Sequence, residues 1–585
     1  MRLREMSLEE TKGKLLNASE MAEDLLALVS DLYVQELHTK ETSLVLALSE
    51  LHNSGVIDII NIVRSVDKNS CGRDFFTILN AFENVLPSLD ARIEDVLHCL
   101  VHLAQQAGRD AAVGGIYKAY EHYCSVEVQR SRNSIGFILA QSELNAYAPF
   151  LSSSLLAYGS DSVIEAIHTT ECLIANRNEV VRNQAYFTLG MLDVDGKKAD
   201  TIWELIRSNA FSESDSDCCA SILRATLQFG GKFPSYWPQI EEFLLIFVKR
   251  ESTEVLYIIS NIVAFHWVAL PESILHLMLK QFNNVSCEHK GIIDNIDHIL
   301  VRLVKKGERS LAVELLESIL AVGVTFKSLD YFSNELINKY KELLNHLITK
   351  WLLNGEALFC QRILELIHDA TEKEIELKAE TTLLDNDVKQ VFISRKVMGW
   401  LFTRPIETAR FILSISEIAS ANTIKKLEDI LYYPLLLSYP RELTRFFQSC
   451  IDNGIQEHLC GRLLEKHKFH QIGIEKASEI NELKTPTENL RAYWKDFDKS
   501  MQKAHEEASE SSFFRMFSKP KILLYGNSSI YYLHQVDGDS VRQEMQMQTF
   551  SQSTEIPRLN VVDPVSLDYF LIKCRAERMK DEINS

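Results

Sequence analysis

The sequence predicts a mainly α-helical protein: an α-solenoid of stacked helical hairpins, followed by a small C-terminal α+β module. Three observations support this fold class. An apolar triplet with helical spacing recurs at a near-constant period, an apolar helix precedes each copy, and the residue pattern changes near residue 485. Proline is absent before Pro87 and between Pro271 and Pro405, so no proline interrupts a helix in those stretches.

The repeated element is an apolar triplet at positions i, i+4 and i+8, which lie on one face of a helix. The four copies are Val181/Ala185/Leu189, Cys219/Leu223/Leu227, Val255/Ile259/Val263 and Ile292/Ile296/Leu300. Successive copies are 38, 36 and 37 residues apart. One hairpin cannot bury its apolar face alone, so the periodicity predicts stacked hairpins. Their inner helices are expected to start near Asn178, Asp217, Thr253 and Lys290.

The first copy lies within a more specific motif. Residues 178–192 read Asn-Glu-Val-Val-Arg-Asn-Gln-Ala-Tyr-Phe-Thr-Leu-Gly-Met-Leu. This stretch resembles the inner helix of a HEAT repeat, whose pattern is roughly Asp/Asn-x-x-Val-Arg-x-x-Ala-x-x-Ala-Leu-Gly-x-Leu. The matching residues are Val181, Arg182, Ala185, Leu189, Gly190 and Leu192, while Thr188 replaces the second alanine. The resemblance implies a HEAT/armadillo-like α-solenoid.

Five regions follow from the pattern of elements. Residues 1–160 are predicted to form a helical N-terminal cap, 161–325 the HEAT-like repeats, 326–484 less regular helical hairpins, 485–518 a long charged helix or linker, and 519–585 a small β-meander with a helix. The long helix is indicated by Thr485-Pro486-Thr487-Glu488, a typical helix start, followed by alternating charges.

The C-terminal region is predicted to be antiparallel because Asp537-Gly538 separates two segments with alternating polarity, a strong hairpin signal. The expected strands are Ile522–Tyr525, Ile530–Val536 and Val541–Phe550. Asp563-Pro564 then starts a last helix, Ser566–Asp581, which we expect to cover the sheet.

Composition weighs against several classes of protein. The formal net charge of −19 disfavours binding to nucleic acid or to an anionic membrane. Eleven cysteines without a Cys-x-x-Cys pair indicate reduced thiols, and the first residues lack the apolar stretch of a signal peptide. Val255–Pro271 is uncharged but lies in phase with the repeat, which favours a buried inner helix over a transmembrane segment. We therefore expect a cytoplasmic protein.

Two groups of side chains have residue types suited to a metal ion. They are Glu94/His98/His102 and His458/Cys460/His467/His470. In the first group, Cys99 occupies the place of the glutamate that a His-Glu-x-x-His hydrolase requires. In the second, Cys460 and His467 are two turns apart, about 10 Å by helical rise. Packed or surface side chains are the favoured interpretation, so no metal site and no cofactor are predicted.

Catalytic chemistry is weakly indicated. Asp537, Asp539 and Glu544 surround the predicted hairpin, and carboxylates on strands can bind magnesium in nucleases. Turn formation explains both aspartates without catalysis. Asp193 and Asp195 resemble the start of a calcium loop, but Gly196 comes two positions earlier than the glycine of such a loop, which favours a loop that closes a repeat. The sequence therefore predicts no catalytic residue and no enzymatic activity.

The leading functional hypothesis is a non-catalytic scaffold or adaptor that holds a protein partner on its solenoid surface. The candidate contacts are exposed inner-helix positions of the best-matched repeat, Glu179, Arg182 and Asn183. The alternative is an enzyme or a nucleic-acid-binding protein whose active module lies at the C-terminus.

A second candidate surface is the aromatic cluster Phe513, Phe514 and Phe517, which lies beside three cations at the junction before the predicted sheet. This composition suits docking to an amphipathic surface or a membrane interface. An apolar clamp between the long helix and the sheet is the favoured interpretation of the same residues.

Overall fold

The computed structural model describes residues 7–19, 21–39, 42–72, 74–108, 114–249, 252–266, 270–369, 375–480, 487–510, 528–534, 540–546 and 555–579. Within these ranges the chain is mainly α-helical, as predicted. It divides into two compact units, residues 1–302 and 303–585.

The predicted cap region is helical. Its helices are α1 (Leu8–Ala18), α2 (Ala22–Thr39), α3 (Ser43–Asn53), α4 (Ile59–Arg64), α5 (Lys68–Cys71), α6 (Asp74–Val85), α7 (Ile93–Ala107), α8 (Gly114–Ser125), α9 (Val128–Leu139), α10 (Leu144–Tyr147) and α11 (Pro149–Asp161). A buried hydroxyl chain connects three of them: Ser134 lies 2.6 Å from the hydroxyl of Tyr120 and 2.7 Å from that of Ser154. Buried polar groups are thereby satisfied inside an apolar core.

The next stretch alternates outer and inner helices. These are α12 (Val163–Ile174), α13 (Glu179–Met191), α14 (Gly196–Ala210), α15 (Ser216–Lys232), α16 (Trp237–Phe247), α17 (Thr253–Phe265), α18 (Glu272–Leu279) and α19 (Lys290–Lys306). The inner helices α13, α15, α17 and α19 start within one residue of the predicted positions, and each start follows the last by 37 residues. The uncharged run after Val255 forms the largely buried α17.

The helix caps repeat with the same period. Asn178, Asp215 and Ser252 accept hydrogen bonds from the backbone N–H groups of Val180, Cys218 and Val255, which caps α13, α15 and α17. Counting from these caps corrects the predicted register of the second copy by one residue. The positions equivalent to Val181/Ala185/Leu189 are Cys218/Ile222/Thr226, not Cys219/Leu223/Leu227. Both sets are buried, so apolarity alone does not distinguish them.

Inner helices approach closely where side chains are small. A Cβ atom on Gly190 of α13 would lie 2.6 Å from the Cα atom of Ala225 on α15, so only glycine fits at this spacing. Between α17 and α19, buried Asn295 donates a 2.9 Å hydrogen bond to buried Ser260. Shape and polar pairing therefore both fix the contacts between neighbouring repeats.

Unit 2 continues with less regular helices, followed by a short hairpin and two C-terminal helices. These elements are α20 (Arg309–Ala321), α21 (Asp330–Asn338), α22 (Lys341–Asn354), α23 (Ala357–Asp369), α24 (Asp387–Leu401), α25 (Pro405–Ile415), α26 (Ala421–Ile430), a π-helical turn (Leu431–Leu436), α27 (Pro440–Asp452), α28 (Glu457–Ser478), α29 (Thr487–Glu510), β1 (Ser528–His534), β2 (Ser540–Gln546), α30 (Leu559–Val562) and α31 (Pro564–Ala576).

Strands β1 and β2 pair antiparallel, with Ile530 opposite Glu544. The predicted three-stranded meander is not supported, because no third strand occurs among the described residues. Its expected first strand, Ile522–Tyr525, and the turn residues Asp537-Gly538 lie outside them.

The segment 555–579, which we call the C-terminal strap, packs along earlier helices of unit 2. The carboxylate of Glu555 accepts hydrogen bonds from the backbone N–H groups of Arg441 and Glu442, at 2.9 and 2.7 Å. These groups begin α27 and have no partner inside that helix. The backbone N–H of Arg558 donates to the carbonyl of Ser438 at 2.9 Å. The strap thus caps a helix more than a hundred residues before it.

The last helix packs on α24, which corrects the prediction that it covers the sheet. Its apolar face, Leu567, Leu571 and Cys574, is buried. A Cβ atom on Gly399 of α24 would come within 3.0 Å of the Arg575 backbone nitrogen, so the absence of a side chain at Gly399 permits this contact. Burial of the apolar face of α31 and the steric opening at Gly399 together hold the two helices in contact.

A buried lysine completes this contact. The Nζ of Lys396, which is fully buried, donates a 2.7 Å hydrogen bond to the carbonyl of Arg575. The side chain of Arg575 donates in turn to the carbonyl of Gly399, and Arg395 pairs with Glu577 at 3.0 Å. Burial lowers the pKa of Lys396, and its cation lies at the C-terminal end of α31, where a helix dipole favours positive charge.

None of the helices in the described ranges is both long and apolar enough to cross a membrane.

Candidate partner-binding surface

The inner helices of unit 1 present a common solvent-facing band, which we call the inner ribbon. Its positions lie 5, 9 and 13 residues after each helix cap, and in α19 they are counted from His289. The first of these positions is two residues after the first residue of the buried triplet, which places it about 200° away around the helix axis. The members are Asn183, Phe187, Met191, Arg224, Gln228, Tyr257, Asn261, Phe265, Asp294, His298 and Arg302, whereas Ala220 at the remaining position is buried. The 37-residue period therefore places the partner-accessible side chains in rows that cross successive repeats.

Side chains of neighbouring repeats contact one another within the ribbon. Ser221 donates a hydrogen bond to the side chain of Asn183. The guanidinium of Arg224 lies over the ring of Phe187, 5.8 Å from its centroid. The rings of Phe265 and His298 are 5.6 Å apart between centroids. These contacts join α13 to α15 and α17 to α19 within the ribbon.

Large aromatic side chains of the ribbon remain open to solvent. Tyr257 is 45% exposed and Phe265 is 48% exposed, although both stand on the predominantly buried α17. Met191 is also exposed. Rigid aromatic side chains on a surface supply much of the binding energy in protein interfaces. The ribbon therefore has the composition of a docking surface.

The three predicted contact residues have different surroundings. Glu179 is exposed, and Asn183 is half-buried beside Ser221. Arg182 is engaged inside the fold, since its guanidinium donates to both carboxylate oxygens of Glu213, at 2.9 and 3.1 Å. It also donates to the carbonyl oxygens of Asn176 and Arg177. Arg182 therefore links one hairpin to the next, and its role as a partner contact stays a prediction.

The Arg182–Glu213 pair is electrostatically strong because Glu213 is buried. Burial alone would raise the pKa of Glu213, but the hydrogen bonds from Arg182 and from the backbone N–H groups of Asp215 and Ser214 outweigh it and lower that pKa. The same hydrogen bonds raise the pKa of Arg182. Both groups stay ionised, and the bidentate geometry fixes the orientation of α13 relative to the turn before α15.

Three of the histidines considered as possible metal ligands lie against other groups. His98 Nδ1 is 2.7 Å from the hydroxyl of Tyr147, and His102 Nε2 is 2.8 Å from the carbonyl oxygen of Val66. His467 is buried and lies 3.2 Å from the amide nitrogen of Gln471. Within the described ranges, no cluster of three or more histidine, cysteine, aspartate or glutamate side chains is arranged to hold a metal ion.

The acidic candidates are placed as follows. Asp195 caps α14 by accepting from the backbone N–H of Lys198, the loop role favoured by the sequence. Glu544 lies on β2, whereas Asp537 and Asp539 lie outside the described residues. The aromatic cluster of Phe513, Phe514 and Phe517 also lies outside them.

Sequence reasoning missed the ribbon residues Arg224, Tyr257 and Phe265. The caps contained the signal: Asn178, Asp215 and Ser252 are spaced by 37 residues. This spacing sets which residues of the inner helices are equivalent to one another. The one-residue error in the second triplet hid that alignment.

No protein-family model matches the chain, and no curated protein matches it. Among solved structures, an engineered protein is 13% identical, with coverage of 79% of this chain and 99% of that chain and a TM-score of 0.24. A circular tandem repeat protein with novel repeat topology and enhanced subunit contact surfaces is 12% identical, with coverage of 86% and 96% and a TM-score of 0.12. At such TM-scores neither likeness bears on a site or a function. The chain's own helices define a helical-repeat protein.

Proposed function

We propose that this protein is a non-catalytic interaction scaffold that holds a partner protein on the inner ribbon. One observation carries the proposal: Tyr257 and Phe265 are each close to half exposed, on a helix that otherwise supplies core residues. Large apolar side chains that are exposed to water are unfavourably solvated, and their burial against a docked partner lowers the free energy.

We further propose that the repeats are HEAT-like. The support is the matched motif at residues 178–192 together with the inter-repeat pairing of its arginine, Arg182, with Glu213. A cytoplasmic location is part of the same proposal, supported by eleven free cysteines in the described residues.

The experiment compares partners recovered by the full-length protein and by a variant with Tyr257→Ala and Phe265→Ala. The tagged proteins are purified from their native cells, and the bound proteins are quantified by mass spectrometry. The control is Ile164→Ala, which removes an apolar side chain that is 67% exposed on the outer helix α12. We expect the ribbon variant alone to lose specific partners at unchanged thermal stability. An unchanged partner set would reject the ribbon as the docking surface.

A further inference from the structure

Two of the three rows of the inner ribbon, the second and the third, contain no carboxylate side chain. These rows lie 9 and 13 residues after the caps, and their members are Phe187, Met191, Arg224, Gln228, Asn261, Phe265, His298 and Arg302. The whole chain has 81 acidic and 62 basic residues, so an acid-free band is a departure from its average surface. The band combines aromatic, amide and cationic groups.

Arg224 is the central cation of this band. It is half-buried, and among the described residues it makes no ion pair. Its neighbours are the ring of Phe187 and, on the next helix, Tyr257. Burial lowers the pKa of Arg224, which means that its charge has lost solvation without gaining a carboxylate. A partner carboxylate would supply the missing interaction through paired N–H···O bonds.

The nearest acids lie outside the two acid-free rows: Asp294 stands in the first row of the ribbon, and Asp217 and Glu254 lie closer to the helix starts. Asp217 and Glu254 lie in the first turns of α15 and α17, and burial together with the charges of Asp215 and Glu254 raises the pKa of Asp217. They form a separate row, closer to the helix starts than Arg224. In the two acid-free rows the charged groups are the cations Arg224 and Arg302, so charge complementarity there favours an acidic occupant over a basic one.

We propose that the inner ribbon binds an acidic, apolar segment of a partner protein. A carboxylate of the segment binds the guanidinium of Arg224, and an adjacent apolar side chain packs against Tyr257 and Phe265. This inference rests on the proposed scaffold function and specifies the chemistry of its partner. Packed helices are about 8–10 Å apart, so an extended segment of about nine residues spans the four inner helices.

The test uses three fluorescein-labelled peptides of about nine residues. Leucine alternates with glutamate in the first, with glutamine in the second and with lysine in the third. Fluorescence anisotropy measures their binding to the full-length protein. We expect the glutamate peptide to bind about tenfold more tightly than the glutamine peptide, as charge-assisted hydrogen bonds are stronger than neutral ones. The lysine peptide should bind most weakly.

Variants assign the preference to one side chain. Arg224→Gln should abolish the preference for glutamate while leaving the thermal melting curve unchanged. Arg207→Gln is the matched control, because it removes the same charge from an exposed position on the outer helix α14 and should preserve the preference. Equal effects of both variants would show a response to net charge alone and overturn the proposal.

Other outcomes separate this inference from the scaffold function. If the glutamate peptide does not bind, or binds no better than the glutamine peptide, the acidic-segment proposal is wrong. Tight, Arg224-dependent binding of a single-stranded DNA oligonucleotide in preference to the glutamate peptide would also overturn it. In either case, loss of native partners on changing Tyr257 and Phe265 would leave the scaffold function standing. If the glutamate peptide shows no preferential binding and the Tyr257/Phe265 variant also keeps its native partners, both proposals are wrong.

Discussion

Glu83, near the end of α6, shows how burial alters a single ionisable group. Its Oε1 atom is buried and has no hydrogen-bond partner in the described part of the chain, and Gly115 of α8 lies against its carboxyl group. Burial raises the pKa of Glu83 to about 7. Because the folded-state pKa is above the unfolded value, ionisation above pH 7 opposes folding, and the penalty disappears as the pH falls from about 7 towards 4.5.

Glu83→Gln should therefore stabilise the protein at pH 8 and have little effect near pH 5. After discounting for solvent screening of a half-exposed group, we expect a gain of about 1 kcal/mol at pH 8. Urea unfolding at the two pH values measures the difference. Glu10→Gln, which makes the same change at an exposed position on α1, is the control. A destabilised E83Q variant at pH 8 would show that the carboxylate has a favourable partner.

The Arg182–Glu213 pair leads to a second residue-scale prediction. Arg182→Ala leaves the buried carboxylate of Glu213 without its guanidinium, which should cost about 3 kcal/mol. Replacing both residues, Arg182→Met with Glu213→Leu, should recover part of that loss because no charge remains buried. A double-mutant cycle from chemical denaturation measures the coupling. Additive single effects would contradict a structural role for Arg182.

At the scale of elements, the spacing of α13 and α15 depends on Gly190. Gly190→Ala places a methyl group against the backbone of Ala225 and forces the helices apart, with an expected cost of about 1–3 kcal/mol. Gly231→Ala on α15 is the matched change, because nothing lies within 4 Å of its Cβ position. That variant should gain about 0.5–1 kcal/mol from helix propensity. Thermal melts that shift equally for both variants would reject the close approach.

The C-terminal strap allows a similar comparison on one helix. Leu571→Asp puts a charge into the buried face of α31, whereas Tyr569→Asp changes a residue that is 69% exposed two positions earlier. We expect Leu571→Asp to release the strap and expose residues 555–579 to limited proteolysis, with about 3 kcal/mol lost from unit 2. Tyr569→Asp should keep the resistance of the parent protein. Equal protection of both variants would show that α31 is not held by this face.

At the scale of the whole molecule, we expect the two compact units to unfold in separate steps. Calorimetry should resolve two transitions. Gly190→Ala should lower only one of them, and Leu571→Asp only the other. A single transition lowered by both variants would show that the units unfold together.

Much of the fold of unit 1 could be predicted, because its helices pack against neighbours that are close in sequence. Apolar periodicity gave the inner helix starts, since each repeat buries the same positions against its neighbours. The period did not resolve the Cys218/Cys219 ambiguity, because buried residues occupy both candidate registers and the register with the polar Thr226 is the one that the cap of Asp215 selects. The pairing partner of Arg182 was also hidden, since Glu213 lies in the following turn rather than in the motif.

Unit 2 was harder to predict because its decisive contacts are remote in sequence. The contact between Gly399 and Arg575 spans 176 residues, and neither position carries a periodic signal. The last helix showed an apolar face, which correctly indicated burial but not the surface that receives it. The same limit applies to the ribbon: its positions follow from the period, whereas exposure of Tyr257 and Phe265 follows from packing.

The strap also constrains the timing of folding during synthesis. Hairpins of unit 1 contact close neighbours in sequence and can fold as they leave the ribosome. The contacts of α24 and of the start of α27 with residues 555–579 form only after those residues are synthesised. At about 5–20 residues per second, this is a delay on the order of 10–30 s. During that interval the surface of α24 that later receives α31, with the Lys396 ammonium within it, faces solvent or a chaperone. A stalled or shortened nascent chain would therefore present this surface to quality control, while unit 1 would already be folded.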